Sequence, residues 1–297
     1  MSKTPDILCI GSVLWDVIGR SKSSMHQGSD VPGRITQLPG GVAMNIAMTL
    51  RRYDLHPALL SAVGRDADGD QLILEAGELG LICDYLYRSA DLPTDRYMAV
   101  EGTNGLIAAI ADAHSLEAAG AKILTPLQDG TLGSIEAPYQ GMIALDGNLT
   151  LSLLSKIASD PLFARADLRV APASPGKAER LRPFLDQSRA TLYVNIEEAQ
   201  TLCHQTFETA NDAANALIQR GAARALVTDG GKCAAEADAT GLRQAKPPQV
   251  LVARVTGAGD TFMAAHMSAE LRGDAPQFAL EQALQAAARY VSGETAH

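Results

Sequence analysis

The chain has 297 residues, of which 46% are hydrophobic and 20% charged, a balance that suits one large folded unit with a sizeable core and little disorder. Its net charge of -9 argues against non-specific nucleic-acid binding, which requires a basic face. An acidic chain can still hold a phosphorylated ligand wherever a few local donors are gathered.

The opening residues, MSKTPDILCIGS, lack the apolar core of a leader peptide, and no apolar run approaches the roughly 20 residues that span a bilayer. A cytoplasmic protein without a membrane partner is expected. Cys9, Cys83, Cys203 and Cys233 form no CxxC pair, so reduced and mostly buried thiols are expected rather than a metal site.

Asp6 to Gly11 is a short apolar run ending in glycine, the pattern of a buried strand that feeds a loop. Residues 12–36 are mixed and polar, and contain Gly28, Pro32 and Gly33; they suit edge strands or a flap. From Gly41 the apolar residues recur every three to four positions, which predicts a helix behind a pair of glycines. Leu59 to Val63 reads as a strand and Asp70 to Gly80 as a helix. Tyr97 to Glu101 and Leu106 to Ala111 flank the turn Gly102–Gly105 as a hairpin. Strands follow at Gly141–Leu145, Leu168–Ala171, Thr191–Val194 and Ala223–Thr228, with helices at 149–158, 176–187 and 209–220 between them. Two apolar helices, 258–272 and 277–292, close the chain.

Alternation of strand and helix implies parallel βαβ units and a three-layer α/β/α sandwich with a mostly parallel central sheet. The early polar strands and the hairpin break this alternation. They are read as a small β lid drawn from about residues 12–38 and 95–112, within a single domain covering 1–297.

The sharpest chemical signal is Val255-Thr256-Gly257-Ala258-Gly259-Asp260-Thr261-Phe262. Glycines let backbone N–H groups approach a ligand closely, and a helix start adds unpaired donors and the positive end of a dipole. Together they suit the charge on a transferring phosphoryl group. Asp260, in the first turn, can accept a proton from an attacking hydroxyl. The residues alone leave a second reading open, in which Asp260 is an N-terminal cap and the glycines make a turn.

These residues resemble the signature of the ribokinase-like, or PfkB, carbohydrate kinases. Gly40-Gly41-Val42-Ala43-Met44-Asn45-Ile46-Ala47, with Ser61 to Gly69 after it, resembles that family's other signature, and Asn195-Ile196-Glu197-Glu198 its NxxE motif. The three occur in the family's order across nearly the whole chain. The resemblance implies an ATP-dependent kinase using Mg²⁺, with Asp260 as catalytic base and Gly257, Ala258 and Gly259 around the phosphoryl group. It implies acceptor binding by Asp16, Gly40, Gly41 and Asn45, nucleotide contacts from Asn195, Thr228, Gly230, Thr256, Gly257 and Gly259, and a water-mediated role for Glu198 on the metal. Val227 to Cys233 resembles the TxGxxG nucleotide loop, with Cys233 in place of the last glycine; Lys232 is given no catalytic part.

Within the family, Pro32-Gly33-Arg34-Ile35, Thr94 with Tyr97, and Ala109 to Asp112 resemble stretches of pseudouridine kinases. They imply phosphorylation of pseudouridine at its 5'-hydroxyl, with Thr94 or Asp112 on the base. His114, Ala171 and Val194 depart from that pattern. Other nucleosides and ribose remain as acceptors, a homodimer through the β lid is an expected assembly, and a ligand-binding protein on the kinase fold is the non-catalytic alternative. A dinucleotide oxidoreductase needs G-x-G-x-x-G after the first strand, where this chain has Gly11-Ser12-Val13-Leu14-Trp15-Asp16.

Overall fold

The structure, a computed structural model, describes residues 4–187 and 189–294. The remaining residues, including the first three of the opening stretch and the last three of the 1–297 span, lie outside it.

In chain order the strands and helices begin with β1 (Ile7–Ile10), β2 (Leu14–Arg20), β3 (Arg34–Gly40), α1 (Val42–Arg51), β4 (Pro57–Leu60), β5 (Ala62–Gly64), α2 (Ala67–Glu78) and β6 (Tyr87–Ser89). Then come β7 (Arg96–Gly102), β8 (Gly105–Asp112), α3 (His114–Ala119), β9 (Met142–Asp146), α4 (Leu151–Ser159), β10 (Asp167–Ala171), α5 (Arg182–Asp186), β11 (Ala190–Asn195) and α6 (Ile196–Cys203). The chain continues through α7 (Ala210–Gln219), β12 (Arg224–Thr228), β13 (Ala234–Asp238), β14 (Gly241–Ala245), α8 (Ala258–Leu271) and α9 (Pro276–Ser292).

Eight strands form the main sheet in the order β14-β13-β12-β11-β10-β9-β1-β4. Its six strands from β12 to β4 run parallel, and β13 and β14 extend it antiparallel. β1, β4 and β9 are buried at every position because helices cover both faces of a parallel sheet. Successive residues serve opposite layers. Leu8, Ile143, Leu168, Leu192 and Ala225 pack with α4 to α7, whereas Ile7, Cys9, Ala144, Tyr193 and Leu226 pack with α1, α2, α8 and α9. The result is the expected three-layer α/β/α sandwich.

A second sheet, β3-β2-β7-β8, uses the segments that broke the alternation. Its register places Asp16, Leu38, Tyr97 and Ala111 in one row and Trp15, Pro39, Arg96 and Asp112 in the next. The pleat turns these rows to opposite faces. β5 and β6 form a separate parallel pair.

Some elements differ from expectation for local reasons. The 59–63 strand divides at Ser61, where the chain leaves the main sheet to pair with β6. The 70–80 helix starts at Ala67 because the Asp66 carboxylate caps it by accepting from Gly69 N at 2.8 Å. The 176–187 helix is a tight turn at Pro175–Leu181 followed by α5, whose Pro183 has no N–H to continue a ladder. The β13–β14 hairpin and the short β6 carry too few alternating apolar residues to be foreseen.

Candidate functional site

The loops after β1, β9, β11 and β12 meet at the carboxyl edge of the parallel sheet, the place where open α/β sheets gather ligands. α8 approaches this edge with its N-terminus. Gly257 caps it at φ 88°, a left-handed conformation, and a Cβ there would lie 2.5 Å from the Tyr290 hydroxyl. That hydroxyl donates to Thr256 O at 2.9 Å and so holds the loop. Gly259 has the reverse surroundings: a Cβ would meet nothing within 4 Å. Space therefore lies open beside the first-turn N–H groups, which have no acceptor inside the helix.

Asp260, on that first turn, receives a hydrogen bond from Asn45 Nδ2 to its Oδ2 at 2.9 Å. The two residues are 215 positions apart in sequence and join the two glycine-led helices. Burial pushes the Asp260 carboxyl up to about 7; the Asn45 bond opposes this, and the charges of Asp146, Asp16 and Glu198 add to it.

Asn45 is aimed by the start of α1. Gly41 has φ 96°, and a Cβ there would lie 2.5 Å from Ser12 O. Gly40 lies against Asp16, where a Cβ would fall 2.1 Å from its carboxylate. The glycine pair thus makes room for the Asp16 side chain and for the loop after β1. Burial also raises Asp16, to about 6.

The pivot of this arrangement, Asp146 at the end of β9, escaped sequence reasoning. It is fully buried. Its Oδ2 accepts from Ser12 N at 2.7 Å, Ser12 Oγ at 2.8 Å and Ala43 N at 3.2 Å, and its Oδ1 accepts from Asn148 N at 2.6 Å. Ser12 Oγ in turn accepts from Val42 N and from Asn148 Nδ2. One carboxylate therefore ties together the loops after β1 and β9 and the start of α1. The only trace in the sequence is an acid at the end of an apolar strand, a pattern shared with many turns.

Asn195 and Glu198 form a reciprocal cap on α6. Asn195 Oδ1 accepts from Glu198 N at 2.9 Å, and Glu198 Oε2 accepts from Asn195 N at 2.8 Å. Burial lifts the Glu198 carboxyl to about 7, opposed by the Asn195 bond and aided by the Glu197 charge. Among the described residues its Oε1 takes no hydrogen bond. That fits magnesium, which keeps several waters and is held by one or two carboxylates together with substrate phosphates. Among the described residues no cluster of three or more His, Cys, Asp or Glu could cage an ion. Thr228 stands opposite Asn195 in the β11–β12 register, so the NxxE and TxGxxG segments are neighbours. Gly230 follows with φ 53°. Cys233 is exposed, and Lys232 pairs with Asp229 at 3.1 Å.

The structure thus brings together Asp16, Gly40, Gly41, Asn45, Gly257, Ala258, Gly259 and Asp260, and places Asn195, Glu198, Thr228 and Gly230 side by side. Two residues stand apart. Thr94 is buried with its hydroxyl donating to Asp66 Oδ1 at 2.5 Å. Asp112 lies on the sheet face opposite Asp16, and its carboxylate meets His114 Nδ1 at 2.8 Å.

Compared with known protein families, residues 4–296 match the pfkB family carbohydrate kinase. A pseudouridine kinase from Escherichia coli is 30% identical over 263 residues, covering 87% of this chain and 81% of that protein. A guanosine-inosine kinase from Exiguobacterium acetylicum is 26% identical, covering 96% and 94%. The crystal structure of a ribokinase from Thermotoga maritima superposes with a TM-score of 0.79 at 20% identity, covering 97% and 93%, which shows the shared fold.

Proposed function

Because the chain belongs to the pfkB family of carbohydrate kinases, we propose that its ATP-dependent phosphoryl transfer acts on pseudouridine and yields pseudouridine 5'-phosphate. The observation that carries the site assignment is the Asn45–Asp260 contact at 2.9 Å. It joins α1, which starts beside Asp16 and Gly40, to the carboxylate on the first turn of α8, beside the open space at Gly259.

Asp16 accepts hydrogen bonds from the ribose hydroxyls, and Gly40 leaves room for its carboxylate. The base lies toward the row shared by Asp16, Leu38 and Tyr97 on the second sheet. The 5'-hydroxyl then faces Asp260. Its proton passes to the Asp260 carboxylate as its oxygen forms a bond to the γ-phosphorus. The bond from that phosphorus to the bridging oxygen breaks, and ADP leaves with the electron pair. The N–H groups of Gly259 and Asp260 receive the charge of the transferring group. Thr228, Gly230 and Thr256 line the nucleotide side. Glu198, oriented by Asn195, would hold Mg²⁺, which would supply charge neutralisation on the phosphates.

The acceptor assignment is supported by the Escherichia coli relative and by the Pro32–Ile35 and Ala109–Asp112 stretches. An ADP-release assay with pseudouridine, uridine, inosine, guanosine and ribose tests it. Pseudouridine is expected to give the highest kcat/KM, and a clear preference for another acceptor overturns this part of the reading. In the same assay Asp260→Asn should retain acceptor binding and lose turnover by roughly 100- to 10,000-fold. Near-normal turnover in that variant would remove Asp260 as the base.

A further inference from the structure

The carboxyl edge of the sheet is crowded with acids. Asp16, Asp146, Glu198 and Asp260 all have raised carboxyl pKa values, each chiefly through burial. A nucleotide triphosphate entering this cleft needs more countercharge than helix dipoles supply. The basic residues of the region are mostly engaged. Arg180 donates from Nη1 to the carbonyls of Gly147, Asn148 and Leu149, and its Nη2 pairs with Glu117 at 2.9 Å. Lys232, at the nucleotide loop, is held by Asp229.

Lys177 is different. It lies in the turn after β10, half-buried, and forms no ion pair among the described residues. Its Nζ donates to Asn148 Oδ1 at 2.5 Å. An ammonium has three N–H donors, so two remain. Asn148 is oriented for this contact because its Nδ2 donates to Ser12 Oγ at 2.9 Å. Ser12 binds Asp146 and the first N–H of α1, and α1 carries Asn45 to Asp260. Lys177 is therefore tethered to the loops that build the transfer site, and the acids that act on it, Asp146 and Glu117, do so through space rather than as ion-pair partners. A half-buried ammonium with no carboxylate in direct contact gains when an anion completes its surroundings. Burial and the neighbouring Arg180 charge lower its pKa, against the opposing charges of Asp146 and Glu117.

We propose that Lys177 is a further catalytic residue, whose ammonium contacts the γ-phosphoryl group of ATP from the β9–β10 rim and stays with it during transfer. The inference rests on the placement of that group at the start of α8. It makes Lys177 the side-chain cation that offsets the charge which the backbone N–H groups of Gly259 and Asp260 meet from the other element.

The test compares Lys177→Met and Lys177→Arg with the wild type. Lys177→Met should lower kcat by about 100-fold, the scale of a lost transition-state donor. It should weaken binding of the non-hydrolysable analogue AMP-PNP by about tenfold or more and leave ADP binding unchanged, because ADP lacks the γ-phosphoryl group. Lys177→Arg should recover most of both losses. A purely structural lysine would weaken AMP-PNP and ADP equally and lower the melting temperature. That pattern, or a kcat within about threefold of wild type, overturns the proposal. The binding comparison needs no acceptor, so it holds whichever nucleoside is the substrate. If Asp260→Asn loses turnover while Lys177→Met does not, Lys177 alone is misassigned. If Asp260→Asn keeps turnover, the placement of the phosphoryl group fails and this inference falls with it.

Discussion

At Asp260 the surroundings set a proton affinity suited to a base near neutrality. Burial and three neighbouring acids disfavour its charge, and the Asn45 amide opposes them, giving a value near 7 against an ordinary 3.8. The charged form is the base, so kcat/KM should fall as pH drops below about 7, with a limb that disappears in Asp260→Asn. Asp146 adds repulsion, so Asp146→Asn should move that limb to lower pH in any variant that still folds; a limb that stays in place would show that Asp146 does not act on Asp260 through charge. Stability runs the other way. Because the folded value lies above the unfolded one, the protonated carboxyl contributes stability that is complete below about pH 4 and is lost as pH rises through about 7. Melting temperatures measured from pH 5 to 8 should therefore decline more in the wild type than in Asp260→Asn.

At the level of elements, the two glycine-led helices α1 and α8 and the capped α6 place Asn45, Asp260 and Glu198. The start of α6 was legible as a motif, since an Asn three residues before a Glu is also the chemical pattern of a reciprocal cap. The structure adds that the cap and the NxxE motif are the same atoms. Asn195→Ala should therefore destabilise the fold by about 1 kcal/mol in urea denaturation and release Glu198 from its orientation. Activity that survives with unchanged Mg²⁺ dependence would separate the two roles. The glycines before α1 were legible as an interruption, but their reasons were not. Gly40 yields to Asp16 and Gly41 to Ser12 O, and both neighbours come from the segment after β1, about 25 residues earlier in the chain. Thr94 and Asp112 were chosen by local resemblance. The pleat of the second sheet and the Asp66 contact, which decide where those side chains go, depend on pairing between distant strands.

Over the whole molecule, α8 is anchored at both ends. Its first turn meets Asn45, while its last turn enters a buried charge network beneath the opposite edge of the sheet. There Glu270 binds Arg169 and Arg224, Arg224 also binds Glu236 at 2.6 Å, and His266 lies fully buried with Nε2 3.7 Å from Glu236. Glu236 itself is wholly inaccessible, and among the described residues its Oε2 has no partner within hydrogen-bond distance. Removing one member of such a network leaves a charge without compensation, so Arg224→Met should cost about 3–5 kcal/mol in stability. A loss below about 1 kcal/mol in urea denaturation would show that the network is solvated rather than buried.

The amino-acid sequence by itself determined the layered α/β/α class, because the period of apolar residues is a local property that each strand and helix carries alone. It also marked the chemistry of the α8 entrance and the NxxE cap, where neighbouring residues act together. Only the tertiary structure decided that Asn45 meets Asp260, that Asp146 gathers three segments, and that Lys177 stands on the same loops, tied to Asn148. Those contacts join residues far apart in the chain. Their energies depend on burial and on the sum of neighbouring charges, which no local stretch of sequence contains.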